Sequence, residues 1–327
     1  MTSDTCLGTL LGTAVGDALG MPVEGLSHQN IRTYYKGIKE YRDDDKRGDF
    51  DAGQWTDDTQ FTFAVARVVA TATPTQWPAE AAMEYTSLQD KARRWGPTTR
   101  AAIERLATGT PPLEAGSAER PTDGAAMRAA PLGLWWAATD ADRSTAFSAI
   151  SNILRVTHAH PAALAAGWGQ AAATRYCATR ATHPLEDFDS ADFWSHLVDA
   201  TVWGESQLGS DTRVSDRLKR LSNQLHEFPL DLRDECNGAG IAADEAWPFA
   251  VAMVARAPEL LENTLLSGIN VGGDADTTGA MMGALLGTLH GWDAFPDEWK
   301  NGLEATEHLR QQAQTFAKSI LRPTSAA

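Results

Sequence analysis

Basic side chains are the first scarcity. Lys and Arg number 28 against 43 Asp and Glu, which leaves a net charge of −15. Nucleic acid and anionic membrane both select a basic surface, so neither is expected as a partner. A small anionic ligand stays compatible, because a nest of N–H groups or a metal reverses the field locally. Cysteine is scarcer still. Cys6, Cys177 and Cys236 are odd in number and far apart, with no CxxC and no zinc pattern. A disulfide framework is excluded, and a reduced, cytoplasmic setting fits. No run approaches the roughly 20 apolar residues of a membrane span. The apolar start, Met1 to Gly20, contains Asp4 and Asp17 and precedes any Lys or Arg, so it does not read as a signal peptide. Short β-branched runs are nearly absent as well, which removes strands.

What remains is alanine-rich sequence with helical spacing. Such runs cover Thr59–Ala72, Pro78–Arg94, Thr99–Leu106, Ala125–Ala138, Thr145–Val156, Pro161–Ala178, Asp192–Gly204, Arg213–Glu227, Glu245–Ala255 and Ala280–His290. Gly, Pro, Asp and Ser punctuate them. Gly109–Asp123, Asp43–Gly53 and Ser206–Thr212 read as loops, none of them an interdomain linker. The expected fold is all-α. The 327 residues suffice for a large core, and 324–327 read as a frayed tail.

Glycine follows a repeating pattern. Gly8, Gly12, Gly16 and Gly20 recur every four residues, as do Gly279, Gly283, Gly287 and Gly291 near the other end. A helical glycine costs about 1 kcal/mol against alanine, so a row of four needs compensation. Steps of four form a ridge, and a ridge of glycine is a groove in which a neighbour lies close. These two segments are expected to be core helices, packed on each other or on separate bulky neighbours.

Two acidic clusters carry the chemistry. Gly272-Gly273-Asp274-Ala275-Asp276-Thr277-Thr278-Gly279 puts two carboxylates and two hydroxyls at the start of a helix. Thr56-Asp57-Asp58-Thr59 repeats the arrangement more than two hundred residues earlier. Each alone is an ordinary helix N-terminus. Together they supply four carboxylates that would repel one another unless divalent cations lay between them. Hard cations such as Mg²⁺ or Mn²⁺ prefer such oxygen ligands. Glu24 follows a proline turn after the first glycine segment, and His158 lies in Thr157-His158-Ala159-His160-Pro161 as a candidate substrate contact. Asp274 to Gly279 also matches the first half of an EF-hand loop, but the twelfth position is Leu285 where a bidentate Glu is required. The same Asp-x-Asp-x-Thr resembles the nucleophile motif of haloacid-dehalogenase-type phosphatases, which normally ends an apolar strand; this is the second chemistry.

With these motifs in place, the chain resembles the ADP-ribosylglycohydrolase family. The resemblance rests on Gly12–Glu24, Gln54–Thr59, Asp123–Arg128, Thr157–Pro161 and Asn270–Gly291, in that order. It implies a single all-α domain of orthogonally packed helices with a central two-metal cleft. The implied activity is hydrolysis of the C1″ bond of ADP-ribose linked to a protein side chain or a related conjugate. Thr56, Asp57, Asp58, Asp274, Asp276 and Thr277 match the metal ligands. Glu24, Asp57 and Asp276 are the candidate catalytic carboxylates. Asp123, Gly124, Ala125, Ala126 and Met127 match a loop whose amides hold the pyrophosphate. Arg93-Arg94-Trp95-Gly96-Pro97-Thr98-Thr99 departs from arginine-directed relatives, which carry an acid ahead of this segment, so the acceptor stays open. Crystallins in the family leave open a binding or immunity role against an ADP-ribosyltransferase partner.

Overall fold

The computed structural model describes residues 1–180, 185, 188–210 and 212–321. The described residues form seventeen α-helices and three 3₁₀ turns joined by loops, and no strand occurs among them. The tail at 324–327 lies outside them.

The Ser3–Gly20 and Ala275–His290 helices run antiparallel at the centre, glycine against glycine. A Cβ built on Gly8 would stand 2.1 Å from the Gly287 carbonyl oxygen, on Gly12 2.3 Å from that of Gly283, and on Gly16 1.9 Å from that of Gly279. The reverse approaches are equally close. Backbone therefore lies on backbone, and the loss of helix propensity is offset by dispersion contacts along the pair. The fourth rungs differ. Gly20 faces Ala275, and Gly291 leaves the helix at φ +78° as its C-terminal cap. Thr9 and Thr288 link their hydroxyls across the pair at 2.8 Å.

By length and composition Ser3–Val23 does reach the range of a membrane span, contrary to the sequence expectation, and residues 5–23 of it are buried within the fold. Its apolar character comes from occupying the core on all sides.

Three predicted helices end differently. The Pro78–Arg94 run is helical only over Trp77–Ser87. Beyond a 3₁₀ turn the chain leaves the helix, and Arg94 adopts φ +59°. This exit delivers Arg93 onto the Trp55 ring, 3.9 Å from its centroid, where it donates to the Trp55 carbonyl and to Glu304. The Ala125–Ala138 run begins only at Ala130, because Pro131 lacks the N–H that a helix continuing from Ala125 would need and sits in the first turn instead. The Arg213–Glu227 run is helical over Val214–Leu221 and continues as turns.

Substitution at the glycine contact is therefore expected to separate from substitution elsewhere. Gly283→Ala places a methyl against the rigid Gly12 carbonyl and should cost about 3 kcal/mol or more, or block folding. Gly268→Ala meets only the flexible end of Met282 and should stay within about 1 kcal/mol of the parent. Urea denaturation of both variants measures the difference, and equal costs would contradict the backbone-contact account.

Candidate metal centre

The helix pair brings Asp17, near the end of its first member, beside Asp276, in the first turn of its second. The Asp57–Thr71 helix contributes Asp58 to the same point. One oxygen from each of Asp17, Asp58 and Asp276 lies within 4.8 Å of the others. A cleft of about 240 Å³ opens over this floor. Its walls include Glu24, Asp57, Asp58, Asp274, Asp276 and Thr277, so the two acidic clusters face one another across it. Thr56 lies beneath, its hydroxyl between Asp17 and Asp58.

Asp17 was not singled out from the sequence. The available signal was an acid inside a segment otherwise apolar from Thr5 to Gly20. It is completely buried and receives the amide and hydroxyl of Thr56 and the amide and hydroxyl of Thr59. Thr56 caps the Asp57–Thr71 helix in position but makes no side-chain cap bond, so the carboxylate of a different helix satisfies those first amides.

Three carboxylate oxygens point nowhere within the protein. Asp58 Oδ1, Asp276 Oδ1 and Asp123 Oδ2 are buried without a hydrogen-bond partner. Such groups are costly unless something else satisfies them. Burial pushes Asp58, Asp123, Asp274 and Asp276 well above the ordinary carboxylate range, and each is raised further by neighbouring acids. Burial raises Asp57 to about 7 against the opposing charge of Arg128, and Asp17 to about 6 against the hydrogen bonds from Thr59 and Thr56. All-oxygen donors, orphaned and mutually repelling, fit a hard divalent cation. Of the six ligands expected from the sequence, Asp58 and Asp276 carry orphaned oxygens at this point, Asp57, Asp274 and Thr277 line the cleft with them, and Thr56 lies behind.

The second wall contains Asp123, Gly124, Met127 and His158. The segment Asp123–Ala125 is a 3₁₀ turn that stops short of the following helix. Ala125 and Ala126 are buried, and the amides of Ala126 and Met127 already donate to the Asp123 carbonyl at 2.7 and 3.1 Å. The expected amide cradle is therefore narrowed, because these two N–H groups turn inward to close the turn. Asp123 joins the acids instead, its carboxyl beside that of Asp274. His158 is buried and held well below its usual pKa by burial, so it is neutral. Its Nδ1 pairs with the Thr157 hydroxyl at 2.9 Å, and its Nε2 occupies the space where a side chain at position 124 would lie. Gly124 is required there by close approach.

Glu24 forms the rim. Arg47 donates to both of its oxygens, at 2.5 and 3.1 Å, and Arg94 donates at 3.2 Å. Arg94 also binds Asp44 and Asp49, which fastens the 43–53 loop over the cleft edge. The calcium-loop reading, already excluded by Leu285, and the phosphatase reading, kept as the second chemistry, both meet a physical obstacle in the fold. Gly279 lies inside a helix, which leaves no calcium loop, and Asp274 follows the Leu261–Asn270 helix where the phosphatase motif needs a strand.

Residues 2–325 match the family model for ADP-ribosylglycohydrolase. The chain is 30% identical to the ADP-ribosyl-dinitrogen reductase glycohydrolase of Rhodospirillum rubrum over 326 residues, covering 96% of this chain and 95% of that protein. A stretch of 129 residues is 32% identical to ADP-ribosylhydrolase ARH3 of Homo sapiens, covering 36% of each. A solved chain from an ADP-ribosylglycohydrolase-related protein complex superposes with a TM-score of 0.69 at 26% identity, covering 97% of this chain and 98% of that one.

The acid cluster also sets a pH dependence. With folded values raised above an unfolded value of about 4, the native state binds more protons than the unfolded chain between about pH 4 and 7. Stability of the cation-free protein should therefore fall as pH rises through that window. A divalent cation bound among these acids would replace the missing protons, so added Mg²⁺ should raise the melting temperature more at about pH 7 than at about pH 4.5. Thermal melts in EDTA and in Mg²⁺ test both slopes, and a chelated protein that gains stability from about pH 5 to 7 would contradict them.

Proposed function

The chain belongs to the ADP-ribosylglycohydrolase family, and from that premise we propose that it hydrolyses the C1″ glycosidic bond of an ADP-ribose conjugate with two divalent cations, Mg²⁺ or Mn²⁺, in this cleft. The observation that carries the reading is the pair Asp58 Oδ1 and Asp276 Oδ1, buried and unpartnered at the cleft floor. Cations held there would supply charge neutralisation and Lewis-acid polarisation at the ribose.

The chain's own residues divide the remaining work. Asp58, Asp274 and Asp276 are ligands from opposite walls, with Thr56 and Thr277 as their hydroxyl companions. Asp57 lies on the wall and is raised to about 7, which suits a carboxyl that takes a proton from water and returns it to the leaving group. Glu24, with both oxygens engaged by arginine, suits orientation of the rim better than proton transfer. His158 offers a neutral surface to the sugar. Arg120 and Ile241 line the outer end of the cleft. The first is an exposed cation suited to the pyrophosphate, and the second is 64% exposed and suited to the face of the adenine.

The acceptor-side wall bears on specificity. Arg94 lines it, and the carboxylates nearest, Glu24, Asp44 and Asp49, are each paired with that arginine. A substrate guanidinium therefore finds no uncommitted acid on this side. We assign the chain to O-linked acceptors, such as serine, ahead of arginine. Phosphatase chemistry has lost its strand. A blocking role toward a transferase is compatible with catalysis, and no specific contact favours it.

Asp58→Asn and Asp276→Asn should each keep the helical fold and lower ADP-ribose release by about a thousandfold or more, as loss of a metal ligand does. Release from serine-, arginine- and other-linked ADP-ribosyl substrates, scored as free ADP-ribose, tests both claims. Near-parental rates in either variant would overturn the site, and faster turnover of the arginine conjugate would overturn the acceptor assignment alone.

A further inference from the structure

We infer that Asp17 is a positioning residue for the candidate metal centre: it takes the hydroxyl proton of Thr56 and thereby turns the lone pairs of that oxygen toward the cation site. The inference rests on the reading of the cleft as a divalent-cation centre, and it gives the deepest acid of the cluster a role distinct from ligation.

The argument starts from a count of protons. Thr56 Oγ1 stands 2.9 Å from Asp17 Oδ1 and 3.0 Å from Asp58 Oδ2. A hydroxyl has one proton and can satisfy one of them at a time. Asp58 lines the cleft and carries the unpartnered Oδ1, so a cation on Asp58 competes with a proton on the same carboxylate. Asp17 is completely buried and already receives three other donors, the two backbone amides of Thr56 and Thr59 and the Thr59 hydroxyl. Its two oxygens offer about four lone-pair sites, and these four donors use them. That saturation is why Asp17, although within 4.8 Å of the ligand oxygens, is not itself counted as a ligand. Donation from Thr56 to Asp17 completes the set and leaves the opposite side of the hydroxyl free.

Asparagine cannot reproduce this. It has a single acceptor oxygen and presents an NH₂ to donors already aimed at it. Partners of this kind behind a metal ligand typically set affinity by about 10- to 100-fold.

The test is Mn²⁺ binding by isothermal titration calorimetry on the parent, Asp17→Asn, Thr56→Val and the double variant, each checked for helical content. Each single change should weaken Mn²⁺ binding about 10- to 100-fold, and the double should lie within about threefold of the weaker single, because Asp17 acts through Thr56. Binding unchanged in Asp17→Asn overturns the inference. So do losses that multiply in the double variant, which is the behaviour of an independent ligand. A parent protein that binds no Mn²⁺ overturns the metal centre itself, and with it this role. Should Asp17→Asn fail to fold, Thr59→Val replaces it, since Thr59 shares Asp17 but faces no ligand carboxylate. A loss in Thr56→Val with Thr59→Val within about threefold of the parent supports the inference, and equal losses overturn it.

Discussion

Everything at this site depends on two helices approaching more closely than side chains allow. A Cβ at Gly16 would lie 1.9 Å from the Gly279 carbonyl oxygen, so the pair exists only with hydrogen at these positions. The consequence is chemical as well as mechanical. Asp17 follows Gly16 directly and Asp276 lies one turn before Gly279, so the contact that seats the helices also sets two acids face to face. Ordinary helix packing at 8–10 Å would keep such carboxylates further apart. Here their mutual repulsion is built into the core, and the rest of the centre answers it: four donors on Asp17, a buried Arg128 near Asp57, and open oxygens for a cation.

The parts of this arrangement that obey a local rule were legible in the sequence. Glycines spaced by four predicted a helix–helix groove, and both segments lie in one. Asp and Thr before an apolar run predicted helix starts, and Asp57 and Asp276 stand in first turns. What escaped depended on distant partners. Asp17 sits in a run that reads as uninterrupted core, and its purpose appears only when Thr56 and Thr59 arrive from another helix. The Asp123–Met127 turn looked like an amide cradle because Gly-Ala-Ala is slender. The amides of Ala126 and Met127 are turned inward by the need to close the turn ahead of Pro131. Arg93 and Arg94 continue the helical spacing of Pro78–Arg94, and nothing nearby in the sequence announces that Trp55, Glu304 and Asp44 will draw the chain out of it.

The rim and the floor obey different physics. At the floor, groups are buried, neutral donors meet acids, and geometry is fixed by short links among Asp17, Thr56 and Asp58. At the rim, Arg47 and Arg94 tie Glu24 to the 43–53 loop through ion pairs that are partly exposed. Exposed pairs of this kind contribute little to stability singly, yet as a network they define where the wall stands. The rim can therefore change by substitution of charges without disturbing the glycine contact below.

The antiparallel pair has a temporal side. The Ser3–Gly20 helix is synthesised long before its partner, which begins only at Ala275. At ribosomal rates of about 5–20 residues per second, this long apolar helix waits on the order of tens of seconds for the surface it is shaped to meet. Until then a segment apolar enough for a bilayer is uncovered in the nascent chain. No nascent chain that stops short of Ala275 can assemble the acid cluster, so the site forms only after that helix is made, and the interval before it is the period in which chaperone capture matters most.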